Sequence, residues 1–270
     1  MGAKEWVSLA NELLFTLIGV IITFLALRRK KEERDDIAPP CSLGELMATF
    51  LAMVCAAVGP NILIIGLTPG MPEMPVLAKF ALVPSLLLLA VVFWLSKHQK
   101  WTVLDNRIWT GIWTGAVATG TLDAVRLTGF YLGLMPGNMP RMFGVLILNT
   151  MATGPTPFSD FLGYLYHYWV AACFGLTLTL ICGKVRWWAG LIWGLLIEVG
   201  MMTTPPMVVD MDTGYFGLKK VFGLLGVSLI AHIVYGTFLG LLAERYTRHK
   251  GSIIHFIRIR LKSQPRRMAT

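Results

Sequence analysis

Apolar residues in this chain come in long, nearly unbroken runs. They show neither the alternation of half-buried strands nor the one-in-three spacing of surface helices. Seven runs stand out, at about 13–27, 43–67, 77–96, 108–134, 160–182, 187–203 and 222–243. A bilayer core of about 30 Å needs roughly 20 such residues in a helix, so the pattern predicts an all-α integral membrane protein, a bundle of seven transmembrane helices. The first run reaches full length if Trp6 to Asn11 opens the same helix. Phe143 to Met151 is too short to span and ends at Gly154-Pro155, so it reads as an interfacial or re-entrant piece. Arg28 to Lys31 follow the first run instead of preceding it, which is not the order of a secretory signal.

Composition supports the membrane reading. Hydrophobic residues make up 55% of 270 and charged residues 14%, against about 25% charged in a soluble domain. The four cysteines are scattered and form no C-x-x-C, which excludes the usual spacing of a redox pair or structural zinc site. The formal charge of +9 belongs with the membrane more than with nucleic acid. Placing the N-terminus outside and the C-terminus inside puts 18 of the 24 Lys and Arg in the inner segments 28–34, 97–107, 184–186 and 245–267, as the positive-inside rule requires. The six others are Lys4, Lys79, Arg126, Arg141, Lys219 and Lys220. The mixed apolar and basic tail from Ser252 to Lys262 suits the inner leaflet, where each cation contributes about 1 kcal/mol.

Three segments follow: helices within 1–104, a four-helix region at 105–245, and a basic cytoplasmic tail at 246–270. The middle segment echoes itself. Arg107-Ile-Trp-Thr-Gly111 opens the fourth run and Arg186-Trp-Trp-Ala-Gly190 the sixth. His167 and Gly175 in the fifth run match His232 and Gly240 in the seventh. Both copies start on the same side, so the echo reads as a parallel duplication of a helical hairpin. The inverted repeat typical of secondary transporters is not seen. Gly111/Gly115, Gly190/Gly194 and Gly236/Gly240 have the spacing that lets membrane helices approach closely, either within the bundle or as an interface to another subunit. In the second run, Pro60 predicts a kink, with Asn61 available to a freed backbone group.

Ionisable residues at membrane depth are costly and tend to have a partner or a use. Glu198, His167, His232, Asp123 and Arg126 qualify. Asp123 and Arg126 share a helix face and are expected to pair. The five form either a proton relay or cofactor site, or a satisfied structural knot. The two histidines also raise axial ligation of haem b. Methionines crowd the outer connections: Met71, Met74, Met135, Met139 and Met142, then Met201, Met202, Met207 and Met211. Their thioethers suit Cu(I) or, alternatively, an adaptable apolar interface. Nucleophile-elbow, zinc-protease, P-loop and dinucleotide signatures are missing, so no catalysis of its own is expected.

The stretch Leu132 to Gly144, Leu-Gly-Leu-Met-Pro-Gly-Asn-Met-Pro-Arg-Met-Phe-Gly, followed by the run carrying His167 and Gly175, resembles uncharacterised bacterial polytopic membrane proteins over about 105–245. That resemblance implies a bacterial inner-membrane location and no particular activity. The favoured expectation is a non-catalytic subunit of a larger, bioenergetic or other, membrane complex, held in the lipid bilayer beside other protein subunits. The alternatives are a transporter of a small solute, protons or copper, and a haem b electron-transfer subunit.

Overall fold

A computed structural model describes residues 3–29, 36–39, 41–210, 212–219 and 222–263. The basic residues of 30–34, Met211, Lys220 and the tail beyond Ser263 lie outside them. Among the described residues the regular structure is helical apart from one two-residue strand pair. The helices are α1 (Ala3–Arg28), α2 (Leu43–Gly66), α3 (Met74–His98), α4 (Thr102–Tyr131), α5 (Met139–Leu148), α6 (Pro157–Cys182), α7 (Trp187–Thr203), α8 (Phe222–Tyr246) and α9 (Ile253–Ser263).

Five of these, α1, α2, α3, α6 and α8, are long and apolar enough to cross a membrane. The first run does begin before Trp6, in the same helix as the rest of α1. The fourth and sixth runs depart from the simple expectation. α4 has 30 residues but carries Thr, Asn, Asp and Arg along its length, nearly all turned inward. α7 has 17 residues, about 26 Å at 1.5 Å per residue.

Local chemistry sets the helix ends. The Ser42 side chain accepts from Glu45 N–H to start α2, and Thr156 with Ser159 forms a capping box ahead of Pro157 to start α6. Asn149 takes φ 53° to close α5, a left-handed conformation that Asn tolerates. Pro84 cannot donate to the carbonyl of Phe80, and α3 widens there into a π turn in which Val83 N–H reaches Ala78 O. Helix α2 runs through Pro60, with Asn61 Nδ2 donating to Ala57 O at 2.8 Å.

The middle of the molecule is two antiparallel hairpins, α4 with α6 and α7 with α8. In the first, Gly111 lies against Gly175 and Gly115 against Ala171; in the second, Gly190 lies against Gly240 and Gly194 against Gly236. These are corresponding positions of the echo, four residues apart on each helix. A Cβ on Gly240 would collide with the Trp187 carbonyl. The glycine faces are therefore used inside the chain, helix backbone on helix backbone. Helix α1 crosses α4 at Gly19 and Gly120 in the same manner, and α2 packs on α6. Residues 1–104 and 105–245 thus share one bundle.

The basic connections meet at one end. Asp36–Ile37 pairs in parallel with His249–Lys250, and Gly183 bridges to Lys250. The buried Arg107 donates to Leu180 O at 3.2 Å and to Gly251 O, with the Phe256 ring beneath its guanidinium. Phe256 anchors α9 against Ala38 and Val103.

Candidate functional site

The two hairpins each place a carboxylate on their first helix and an imidazole on their second. In the first, Asp123 Oδ1 on α4 meets His167 Nε2 on α6 at 3.0 Å. In the second, Glu198 Oε2 on α7 meets His232 Nδ1 on α8 at 2.7 Å. His232 Nδ1 also lies 2.9 Å from Ser228 O. A carbonyl oxygen only accepts, so Nδ1 is the donor in this contact. Ser228 Oγ donates to Glu198 Oε2 at 2.8 Å. The second oxygen of each carboxylate, Asp123 Oδ2 and Glu198 Oε1, is buried with no hydrogen-bond partner among the described residues.

The expected pairing of Asp123 with Arg126 is not what forms. Asp123 turns to His167 on the neighbouring helix. Arg126 is 9% exposed and makes no hydrogen bond or ion pair among the described residues. A shared helix face permits an i, i+3 contact, but the carboxylate here is held by the imidazole instead.

Arg126, His167 and His232 line one cavity of about 400 Å³ between the two hairpins. Small-molecule sites span about 300–1,000 Å³. The rest of the lining is largely apolar, including Ile64, Leu122, Phe143, Val170, Trp193 and Ile197. Asn61 and Leu67 of α2 stand on one side, and Leu196 and Gly200 of α7 on the other. Asn61, Leu196 and Gly200 are exposed, so the cavity opens on the flank of the bundle between α2 and α7. Its ionisable groups, Arg126, His167 and His232, are buried, whereas Asn61 is a polar group at the opening.

The methionines split up. Met71 is exposed, while Met74 and Met142 pack with Ile62, Phe143 and Tyr166. Met135 packs with Met202 and Met207 in a separate cluster, and Met139 touches both clusters. Met139, Met201 and Met207 also form part of the cavity wall. The five Met read as copper ligands do not come together as one set. Among the described residues, no group of three or more His, Cys, Asp and Glu is arranged to hold a metal ion. Both histidines face one cavity, as a bis-histidine haem would need, and each has one ring nitrogen committed to a carboxylate. That second-shell arrangement orients a metal ligand and a proton acceptor equally well.

A second buried network was not singled out from the sequence. Glu12 of α1 is fully buried and accepts from Tyr131 Oη and Asn138 Nδ2, both at 2.8 Å, and from Arg141. Asp160 stands 3.7 Å from the same guanidinium. These residues sit at the edges of apolar runs, where charge is ordinary, so only tertiary packing marks them. Compared with protein-family models, curated proteins and solved structures, the chain matches none.

Proposed function

We propose that this protein is a membrane carrier for a small amphipathic anion, taken up between the two hairpins and moved together with a proton. One observation carries the reading: a buried, unpartnered guanidinium faces an apolar cavity flanked by two carboxylate–histidine pairs. In this reading the chain crosses the bilayer seven times, with the N-terminus outside, α4 and α7 included. It resides in a bacterial inner membrane.

Charge counting gives the stoichiometry. Net charge in a low-dielectric interior is expensive. Arg126 against ionised Asp123 and Glu198 leaves −1, which a single proton on one histidine cancels. A bound monoanion restores −1, and a second proton, on the other histidine, cancels it again. Anion and proton therefore enter together by linkage, and the complete cycle moves no net charge. Arg126 would hold the acidic head, and the apolar lining toward α2 and α7 would take the tail.

The features that suggested a subunit have uses within the chain. The glycine faces close the hairpins, and methionines of all three outer connections pack into the interior. A subunit role retains one support: α3 exposes Phe80, Leu87 and Trp94, a face that suits lipid or a partner helix.

Reconstituted vesicles test the carrier directly. Decanesulfonate is a fixed monoanion with an apolar tail. Added outside vesicles containing the wild-type protein and a pH-sensitive dye, it is expected to acidify the lumen at a rate independent of imposed membrane potential. Arg126→Gln should abolish the response. A response unchanged by that substitution, or absent from the wild type, contradicts the proposal.

A further inference from the structure

A separate cavity lies at the end of the bundle where the basic connections gather. It occupies about 780 Å³ between α1, α4 and the end of α8. Its cations are Arg29, Arg245 and Arg248, and no acidic residue lines it among the described residues. Asp105 shares a smaller adjoining cavity with Lys97 and Arg248.

Two of the lining residues carry buried polar atoms without partners among the described residues. Arg245 Nε is buried and has no hydrogen bond among the described residues. Thr247 is 1% exposed, and its Oγ1 is likewise unbonded. Buried donors left unmade cost about 1–3 kcal/mol each, and three lining guanidinium groups favour an acceptor-rich ligand in the cavity. Trp113 stacks edge-on against Tyr246 with ring centroids 4.7 Å apart, forming a rigid floor.

Asn106 and Thr110 add polar groups, and the rest of the wall is apolar and continues onto the outer surface of the bundle. Ile22, Leu25 and Trp109 line the cavity and are each at least 40% exposed. A ligand seated here therefore has a place for a multiply hydrogen-bonding anion at one end and for hydrocarbon along the α1–α4 groove. Guanidinium groups pair well with phosphate oxygens, and basic pockets between membrane helices on the cytoplasmic side take anionic head groups.

We infer that this cleft binds the phosphate head group of an anionic phospholipid, with an acyl chain laid against Ile22, Leu25 and Trp109. The inference rests on the chain being embedded in a membrane and does not depend on the carrier reading, since no residue is shared between the two cavities.

The test uses the full chain in a mild detergent and follows tryptophan fluorescence. Phosphatidylglycerol brominated on its acyl chains is titrated against phosphatidylcholine brominated in the same way. Saturable quenching by the anionic lipid is expected at concentrations at least about tenfold lower than by the zwitterionic one, a difference of ~1.4 kcal/mol. Trp109→Phe should remove much of the quenched signal. The double variant Arg245→Gln with Arg248→Gln should erase the preference while keeping the same thermal midpoint in phosphatidylcholine. Inorganic phosphate should not compete at comparable concentration. Equal quenching by the two lipids, a preference that survives the double variant, or full competition by free phosphate each overturns the inference, the last by assigning the site to a soluble anion.

Discussion

Arg126 carries a charge into the bundle interior and finds no counter-ion at bonding distance. Such a group lowers stability, and it persists where activity needs it. Arg126→Met should therefore stabilise the fold by roughly 0.5–2 kcal/mol, read as a higher thermal midpoint in detergent, while abolishing anion binding. A destabilised variant would show instead that the guanidinium holds the fold together. The five ionisable residues of this site are legible in the sequence because a charge inside an apolar run is conspicuous. Their pairing is not. Asp123 has Arg126 three residues away, yet it bonds His167, 44 residues on, and that choice is made by how α4 and α6 dock. Glu12 and Asp160 are buried just as deeply, but each sits at the edge of an apolar run and attracts no notice there.

The two hairpins explain why small residues recur where they do. Membrane helices gain little from hydrophobic association, so close backbone approach supplies the packing. Gly240→Ala should disrupt the α7–α8 seam, because the added methyl would meet the Trp187 carbonyl backbone. Overpacking of this kind costs typically ~1–3 kcal/mol. Gly226→Ala on the same helix has nothing within 4 Å of its Cβ and should be neutral or stabilising by up to about 1 kcal/mol. Thermal unfolding of the two variants side by side checks the pair; equal effects would refute the seam. The hairpin echo was visible in the matched Gly and His spacings, and the equivalent contacts of Gly111 with Gly175 and Gly190 with Gly240 agree with it. The polarity of α4 was harder to interpret from sequence. Thr114, Thr119, Thr121 and Thr128 each return a hydroxyl hydrogen bond to their own helix backbone. A helix can thereby carry many polar residues in the interior without leaving donors unpaired, which apolar counting alone does not register.

Across the whole molecule, the polar groups are sorted by depth. Arg29, Arg107, Arg245 and Arg248 collect with the strand pair at one end. Arg141 with Glu12 and Asp160 lies apart from them, in the α1–α5–α6 region. Between these groups lie two carboxylate–histidine pairs and one unpaired arginine around a cavity open on the flank. The apolar runs and charge asymmetry made the helical bundle legible, but they could not show that six helices would enclose a cavity. That convergence depends on α5 and the residues around Met201 to Met207 closing one end, and on α2 and α7 standing apart. Native mass spectrometry of the full chain, released from mild detergent after incubation with decanesulfonate, reads chain composition and bound anion together. The carrier reading predicts particles made only of this chain, bearing decanesulfonate that Arg126→Gln fails to retain. Other protein chains in fixed ratio, an adduct unaffected by that substitution, or a wild type that takes up no anion would contradict it.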